Sequence, residues 1–580
     1  MKSIDIPLKL TVNWLREKYE ANVLTPNEVM EVIIQRAKED EEKNIWIIAP
    51  NMDQIQPYLD RLSTIDFHSS PLWGVPFAIK DNIDLAHMPT TAGCAEYQYI
   101  PSEHATVVER LVNAGAIPIG KTNLDQFATG LVGTRSPYGE THNSLRPELI
   151  SGGSSSGSAV SVARGQAVFS LGTDTAGSGR VPAALNNLVG LKPSLGAWST
   201  LGVVPACASL DCVTVFTHNL EDAYQVDTIV RGYDEKDPWS RDLARPKREL
   251  PKKICLPDND LPFYGPYAQE YKQAWSQAVQ RIQRLNIPIE YIDYQFFAEA
   301  AAILYDGPFV AERWAELGGF IDEHPGASFP VTEKILRSGS QSKYDAASVF
   351  QSMHKLQEFK RKASRILKDA VLVTPTAGGT WTREQVFEDP IQTNSKMGLY
   401  TNHCNLLDLS AVAVQAGDAS ENLPFGITFF ALSQGEGLLA EACKQFLTND
   451  SKEATTLIAV CGLHMRGFPL EKQMLEHGAT FIREAVTAEK YQFIKLATEP
   501  QKPGLIRKHS GGKAIELEIW EMPISSFGSF AKSIPAPLGL GKIELDNGAE
   551  IPGFICESYA AEGAVDITEA GSWRRVPLGV

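Results

Sequence analysis

The sequence predicts an α/β protein whose sheet is covered by helices, followed by a smaller β-rich domain. In residues 70–220, short apolar runs at 75–79, 116–119 and 167–171 alternate with glycine turns and helical patterns. Short apolar strands between helices are typical of a sheet that is buried on both faces. Residues 514–520 instead alternate polar and apolar side chains, which is the pattern of half-buried strands.

Two domains are expected because a length of 580 residues exceeds what one hydrophobic core usually organises. A polar stretch at 448–453 separates a helix-like segment from the apolar run 457–462. Polar segments of this kind are typical of domain boundaries. We therefore predict domains at 1–450 and 451–580.

The other elements follow from capping signals and hydrophobic periodicity. The stretch 25–28 resembles a capping box with proline at the first helical position, and it predicts an N-terminal helix. Residues 265–370 are predicted to be mostly helical, and 371–375 and 425–430 return to strand character. The apolar face of the N-terminal helix consists of residues at helical spacing: Val29, Val32, Ile33 and Ala37.

Charge and cysteine content exclude several function classes. A formal net charge of −16 argues against broad binding to nucleic acid or anionic membranes, which needs basic patches. Runs of about 18 apolar residues are absent, so no transmembrane helix is expected, and the N-terminus lacks the apolar stretch of a signal peptide. None of the eight cysteines forms a C-x-x-C pair. These features predict a cytoplasmic enzyme with free thiols.

Two serine–glycine clusters and Lys80 carry the chemical information. The clusters lie at 152–159 and 172–180, and Lys80 follows an apolar run upstream. Serine supplies a nucleophile, a buried lysine supplies a base, and glycine-rich turns expose N–H groups to an oxyanion. The second cluster follows an apolar strand, where Asp174 and Arg180 are suited to pair across the turn. Together these features predict a hydrolase that does not need histidine.

The first cluster has three other interpretations, all of which we disfavour. Residues 153–157 match the G-x-S-x-G nucleophile elbow around Ser155, but the preceding residues 144–150 include a proline and make a poor central strand. A phosphate-binding loop would need Gly-Lys-Ser/Thr after the glycines. A flexible linker would not be expected to continue into the small apolar, helix-like segment 159–163.

Three segments together resemble the amidase signature family. They lie at 74–81, 152–159 and 172–182, in the family's order and with similar spacing. The resemblance implies the mixed sheet of that family, covered by helices on both faces. It also implies amide hydrolysis by serine and lysine.

The resemblance also implies a role for each matched residue. Ser178 would be the nucleophile, Lys80 the base, and Ser154 the bridging serine, which follows a cis peptide bond in this family. Ala176 and Ser156 depart from the family's pattern, since each stands where glycine is common and adds a Cβ to a crowded turn. The oxyanion turn would consist of four residues: Thr175, Ala176, Gly177 and Ser178.

Physical chemistry supports a buried Lys80. An unperturbed lysine has a pKa near 10.4 and is a poor base while charged, whereas burial disfavours the ammonium form. Lys80 follows an apolar run, as a desolvated lysine requires. The alternative is a surface lysine beside Asp81.

A Ser-His-Asp triad is the main rival mechanism. His403 and His464 are the histidines of most interest, but neither stands in a recognisable triad context. Lone histidines are more often structural. The sequence has no H-E-x-x-H or comparable metal spacing, so we expect neither a metal nor a cofactor.

Several segments resemble one branch of the family, the allophanate hydrolases. They are 121–139, the helical segment around 305–313, and 461–470 and 535–541 in the second domain. Residues 394–402 are a weaker candidate for the substrate pocket. Because many amidases lack a second domain, this resemblance narrows the substrate class.

Allophanate (urea-1-carboxylate) is a small anion, and an acidic protein must hold it with a local cation. The resemblance implies that Arg313 binds its carboxylate through a bidentate fork, with a Tyr305 hydroxyl beside it and backbone contact at Gly130. The alternative for Arg313 is an ion pair on the helix surface with Glu312 or Glu316.

The implied reaction cleaves the carbamoyl C–N bond of allophanate and leads to ammonia and CO2, in urea degradation or s-triazine and cyanuric acid nitrogen metabolism. The second domain resembles γ-glutamylcyclotransferase-like folds. His464 is a candidate for the later step, although the domain is equally consistent with a role in packing or assembly alone.

Two other functions stay open. One is another amidase of the family that acts on biuret, malonamate or other small amides, and the other is a catalytically silent subunit. Retention of Lys80, Ser154 and Ser178 argues against the silent subunit. As partners we expect a second copy in a homodimer and a biotin-dependent urea carboxylase. This chain lacks the Met-Lys-Met sequence of a biotin carrier.

Overall fold

The computed structural model describes residues 6–244, 247–448 and 455–577. It divides into two compact units, the first ending at Phe446 and the second beginning at Leu447. The predicted boundary between residues 450 and 451 lies outside the described residues.

The first unit is organised around one large mixed sheet. Its strands are β1 (Trp46–Ile48), β2 (Pro76–Lys80), β3 (Ile117–Thr122), β4 (Phe169–Thr173), β5 (Val189–Lys192), β6 (Val213–Thr217), β7 (Lys253–Pro257), β8 (Ile289–Ile292), β9 (Ala370–Pro375), β10 (Leu409–Ser420) and β11 (Leu423–Leu432). They are hydrogen-bonded in the order β1-β3-β2-β4-β6-β5-β10-β11-β9-β7-β8. Parallel pairs such as β2–β4 and antiparallel pairs such as β10–β11 share the sheet. Every residue of β2, β3, β4 and β6 is buried, so both faces are covered there, and the predicted α/β class is confirmed.

Sixteen helices accompany this sheet in the described residues. They are α1 (Val12–Glu20), α2 (Pro26–Glu39), α3 (Met52–Arg61), α4 (Thr106–Asn113), α5 (Ser156–Ala163), α6 (Val181–Leu185), α7 (Leu220–Val230), α8 (Ala268–Gln283), α9 (Gln295–Asp306), α10 (Phe309–Glu323), α11 (Pro330–Ser338), α12 (Ala346–Ile366), α13 (Arg383–Glu388), α14 (Gln392–Met397), α15 (His403–Leu406) and α16 (Glu436–Thr448). None of the helices in these ranges combines the length and apolar character that crossing a bilayer requires.

The N-terminal helix confirms the capping prediction. Thr25 and Glu28 form the reciprocal capping box, with Pro26 in the first turn of α2. Strands β7 and β10 were not predicted. Nor were β1 and β8, of which β8 interrupts a stretch expected to be mostly helical. Both lie at the edges of the sheet and expose part of their side chains, so they lack the apolar runs of the central strands.

The parallel pairing of β2 with β4 brings Lys80 close to the second serine–glycine cluster. Phe77 pairs with Phe169 and Ile79 with Leu171, so the carboxyl ends of both strands lie at the same edge of the sheet. The Phe77 and Phe169 rings stack with centroids 5.2 Å apart. Lys80 therefore ends its strand beside the glycine turn that follows β4, where active sites of α/β proteins gather.

The second unit is rich in β-structure, as predicted. It contains β12 (Thr455–Val460), β13 (Thr480–Val486), β14 (Tyr491–Leu496), β15 (Lys502–Arg507), β16 (Glu516–Pro523), β17 (Leu538–Glu544), β18 (Glu550–Cys556) and β19 (Val565–Asp566), with helices α17 (Glu471–Glu476) and α18 (Ile524–Lys532). The strands form one sheet in the order β13-β16-β12-β18-β17 and another in the order β15-β14-β19. Trp520 and Trp573 are buried in its hydrophobic core.

Candidate active site

Lys80 is fully buried at the carboxyl end of β2. Its amino group donates hydrogen bonds to Ser154 Oγ at 2.8 Å and to Thr173 Oγ1 at 2.7 Å. The alternative of a surface lysine beside Asp81 is wrong, because Lys80 has no exposed surface and Asp81 instead forms a buried ion pair with Lys121 at 3.1 Å.

The electrostatic environment of Lys80 favours its neutral form. Burial lowers the pKa of Lys80 from 10.5 to about 7, because the desolvated ammonium is disfavoured. Three nearby carboxylates act in the opposite direction and moderate the shift: Asp125, Asp211 and Asp174. The result is a lysine that is partly neutral near pH 7, as a general base requires.

The first serine cluster contacts Lys80 through Ser154. The Gly153–Ser154 peptide bond is cis, as the resemblance implies. The conspicuous central serine, Ser155, has a different task, since its hydroxyl donates to Thr173 O at 3.1 Å and accepts from Thr173 N at 3.2 Å. Ser156 begins α5, the helix predicted to follow the cluster.

The second cluster forms a turn that a buried ion pair closes. Arg180 Nε and Nη2 donate to the two carboxylate oxygens of Asp174 at 2.8 and 2.9 Å, which confirms the predicted pairing. Gly179 N also donates to Asp174 Oδ2, at 3.1 Å. Although burial opposes ionisation, the Arg180 guanidinium holds the pKa of Asp174 below its ordinary value.

Four consecutive backbone N–H groups in this turn donate to no acceptor in the part of the chain that the structure describes. The N–H of Asp174 donates to Cys212 O and that of Gly179 donates to Asp174, but the N–H groups between them have no acceptor among the described residues. They belong to Thr175, Ala176, Gly177 and Ser178. Buried N–H groups normally have partners, so a row of free donors is suited to bind an oxyanion.

Ser178 lies in the turn between β4 and α6. It is 3% exposed, and its hydroxyl makes no hydrogen bond to the described part of the chain. Thr175 is held from the other side, because its hydroxyl donates to Asp211 Oδ1 at 2.5 Å. Burial raises the pKa of Asp211, which also accepts from the N–H groups of Ala206 and Cys207.

Arg313 and Gly130 are brought together through Thr129. Arg313 Nη1 donates to Thr129 Oγ1 at 3.1 Å, one residue before Gly130. Arg313 is 2% exposed, so the proposed ion pair on the helix surface is wrong. Its neighbour Glu312 instead accepts from the Ser209 N–H and hydroxyl, both at 2.7 Å.

Tyr305 is on α9, and its side chain lies outside the described part of the structure.

Residues 394–402 contact both the loop around Gly130 and the oxyanion turn. Asn394 Oδ1 accepts from Leu131 N at 2.7 Å, beside Gly130. A Cβ at Gly177 would lie only 2.3 Å from Thr401 Oγ1, so this close approach requires glycine in the oxyanion turn.

The histidine rival is not supported by the geometry. His403 is fully buried among aromatic rings, and its Nδ1 lies 3.4 Å from the Tyr294 hydroxyl. Burial lowers the pKa of His403 to about 3, with a smaller contribution from Arg180. Thr173 and Asp211 were not predicted as site residues. Thr173 lies inside the second cluster, but nothing in the local sequence marks its hydroxyl as a partner of Lys80, and Asp211 lies outside the three matched segments.

Comparisons with known proteins agree with this geometry. Residues 28–439 match the model of the Amidase family, most of the chain. The chain belongs to the Amidase family. Residues 456–577 match the Allophanate hydrolase C-terminal domain. It is therefore an amidase-family enzyme with a second domain of the allophanate hydrolase type.

Three similar proteins illustrate this membership. Urea amidolyase of Saccharomyces cerevisiae is 42% identical over 546 residues, 87% of this chain but 29% of the relative. Urea amidolyase of Lachancea kluyveri is 41% identical over 544 residues, 87% of this chain and 30% of that relative. This chain therefore spans under a third of either protein. Allophanate hydrolase of Kluyveromyces lactis superposes with a TM-score of 0.71 and 38% identity over 98% of both chains.

The Allophanate hydrolase C-terminal domain contains a pocket of its own. A cavity of about 210 Å³ is lined by His464, Gln473, Lys502 and Phe554, among other residues. His464 Nε2 lies 3.0 Å from Gln473 Oε1, and its ring stacks on Phe554 with centroids 4.9 Å apart. Burial lowers the pKa of His464, while Gln473 opposes that shift. Lys502 is a basic side chain in this lining, so the cavity is suited to a small anion.

Proposed function

We propose that the chain hydrolyses allophanate, with Ser178 as nucleophile, Ser154 as proton relay and Lys80 as base. The observation that carries this proposal is the 2.8 Å contact between Lys80 Nζ and Ser154 Oγ in a fully buried site. A desolvated, partly neutral lysine beside a serine supports base catalysis without histidine.

The first step is acylation of Ser178. Neutral Lys80 keeps an N–H on Thr173 and turns its lone pair to the Ser154 hydroxyl, which in turn takes the Ser178 proton. The Ser178 oxygen then attacks the carbamoyl carbon, and the free N–H groups of residues 175–178 hold the oxyanion. Collapse of the tetrahedral intermediate breaks the C–N bond, and the proton returns through Ser154 to the departing ammonia.

Water then attacks the acyl-enzyme and releases N-carboxycarbamate. The same relay removes a proton from that water and returns one to Ser178, so the enzyme is regenerated. Arg313 binds the substrate carboxylate with its buried guanidinium. Burial supports this role, because a desolvated guanidinium forms stronger charge-assisted hydrogen bonds than an exposed one. Gly130 and Tyr305 complete the substrate site in this proposal.

We propose that the C-terminal domain acts on N-carboxycarbamate. His464 supplies the proton that the nitrogen takes as the C–N bond to one carboxylate breaks, which gives CO2 and carbamate. Carbamate then decomposes to ammonia and a second CO2. Lys502 in the lining of the His464 cavity supports this step, since the substrate carries two negative charges.

We propose that the chain, with domains 1–450 and 451–580, forms a homodimer in the cytoplasm. We also propose that a urea carboxylase supplies its allophanate. All eight cysteines are free and buried, as is usual in a reducing compartment. Two-fold dimers are the commonest closed assembly. The match covers only 29% of urea amidolyase of Saccharomyces cerevisiae. The remaining length of that protein supports the proposal that a second enzyme activity works with this chain.

Ammonia release from allophanate, biuret and malonamide tests the substrate. We expect allophanate to be hydrolysed with a kcat/KM at least tenfold above that of the neutral amides, because only it engages Arg313. A Ser178→Ala variant is the control for contaminating activity and should release no ammonia. Efficient turnover of biuret without turnover of allophanate would reject the substrate and favour the other amidase function.

A further inference from the structure

Asp125 is a buried carboxylate in the electrostatic environment of Lys80. It has no exposed surface. Its Oδ2 accepts from the backbone N–H groups of Val132 at 3.2 Å and Gly133 at 3.0 Å, and its Oδ1 accepts from that of Arg135 at 2.9 Å. One side chain therefore gathers three donors from a single loop, which we call the substrate loop (residues 129–135).

The same residue also contacts the serine relay. The Asp125 N–H donates to Ser154 O at 3.0 Å. A Cβ at Gly153 would lie 2.1 Å from Asp125 Oδ2, and a Cβ at Gly130 would lie 2.5 Å from it. The carboxylate is thus packed directly against the backbone before the relay serine and against the substrate loop, with glycine required on both sides.

The substrate loop connects Asp125 to Arg313. Arg313 Nη1 donates to Thr129 Oγ1 at 3.1 Å, and Arg135 Nη1 donates to Thr129 O at 3.0 Å. Arg135 N is one of the three donors to Asp125. A continuous set of hydrogen bonds therefore runs from the relay serine through Asp125 to the arginine assigned to the substrate carboxylate.

We propose that Asp125 is a positioning residue that fixes the substrate loop relative to the Ser154 relay. The inference rests on the proposed function and deepens it, since it explains how the carbamoyl end meets the nucleophile while the carboxylate stays on Arg313. Small misplacements of a bound substrate cost large factors in rate, so a rigid connection between the two ends matters.

Asparagine cannot replace Asp125 in this role. A carboxylate presents acceptors on both oxygens, whereas a carboxamide presents one acceptor and one NH2 group. In either orientation the NH2 of Asp125→Asn would face an N–H donor of the substrate loop. The variant would also remove a negative charge that favours the ammonium form of Lys80.

Several other charged groups surround Lys80 and stay unchanged in that variant. Asp211 and Asp174 also favour its ammonium form. Asp174 is neutralised by Arg180, and the neighbouring Asp81 is paired with Lys121. Loss of the Asp125 charge should therefore lower the pKa of Lys80, and the acid limb of the pH profile should move to lower pH.

The test measures kcat, KM and the pH dependence of kcat/KM for allophanate in wild type and Asp125→Asn. We expect KM to rise about tenfold or more, because the loop loses hydrogen bonds to a charged acceptor, and the acid limb to move to lower pH. A purely structural role would lower activity at every pH without moving the limb. Asp237→Asn is the matched control, a buried carboxylate that accepts from Thr200 N at 2.6 Å, and it should leave both quantities unchanged.

A second variant separates the effect of the substrate loop on KM from the effect of the Asp125 charge on the acid limb. Thr129→Val keeps Asp125 in place but removes the hydroxyl that accepts from Arg313 Nη1, so KM should rise while the acid limb stays in place; it also serves if Asp125→Asn does not fold. Unchanged KM and acid limb in Asp125→Asn, or unchanged KM in Thr129→Val, would overturn the inference. Wild type that does not hydrolyse allophanate would instead reject the proposed function, so the two failures are distinguishable.

Discussion

The two units each hold a candidate group for proton transfer, but they surround it differently. Lys80 lies among three carboxylates that partly offset its desolvation. His464 contacts the neutral amide of Gln473 and shares its cavity with Lys502. The first arrangement suits a base that must be neutral yet easily protonated, and the second suits binding of an anion. We therefore expect the two pockets to handle successive, differently charged species.

The largest expected effect comes from the amidase site. Lys80→Ala should lower kcat/KM for allophanate about 10³-fold or more, because Ser154 loses its proton acceptor. Ammonia release reports this loss, and thermal melting checks that the fold is intact. A fully active variant would return the base to a histidine and remove the contrast between the units.

Arg313→Ala should lower kcat/KM for allophanate about 100-fold, because a buried charge-assisted pair with the substrate is lost. Neutral amides should lose far less. Arg337→Ala is the control, since Arg337 is a more exposed arginine on the neighbouring helix α11 and pairs with Asp322 and Glu333. An equal loss for anionic and neutral substrates would contradict the role in carboxylate binding.

His464→Asn should separate the two pockets. Release of the first ammonia should be unchanged, whereas conversion of N-carboxycarbamate to CO2 should slow about tenfold or more. Trapping of the intermediate, or CO2 release followed in real time, measures the second step. His477→Asn is the control in the same unit, because His477 contacts Gln473 O but does not line the cavity. Unchanged CO2 release would leave the domain a role in packing or assembly.

The smallest expected effect is the pH dependence of the free energy of unfolding. Lys80 has a pKa of about 7 when folded and 10.5 as its ordinary value, so the unfolded chain binds more protons between these values. The free energy of unfolding therefore rises with pH in that window, by roughly 1.4 kcal/mol per unit for this group. Urea titrations of wild type and Lys80→Met at several pH values should differ by this slope. Parallel curves would mean that Lys80 is charged when folded.

Sequence patterns predicted the parts of the molecule that follow local rules. Apolar runs located β2, β3, β4, β9 and β11, and the capping box located α2, because both depend on neighbouring residues. Edge strands β1 and β8 escaped because partial exposure dilutes their apolar character.

The contacts in the active site also divide into those that the local sequence predicts and those that it does not. The Asp174–Arg180 pair could be predicted because both residues lie in one turn. Thr173, Asp211 and Asp125 could not, since their roles arise from contacts between segments that lie far apart in the chain. A motif names the reacting groups, but only the fold shows which side chains tune and hold them.

The oxyanion turn depends on a part of the chain that is synthesised much later. Asn405 Nδ2 donates to Asp174 O at 2.6 Å across 231 residues, and it also donates to Leu210 O at 2.7 Å. At about 5–20 residues per second, a ribosome needs on the order of 10–50 s to make that intervening stretch. The growing chain therefore carries its reactive serine long before the turn around it is anchored. Hydrolytic activity should therefore appear only after residue 405 has emerged from the ribosome.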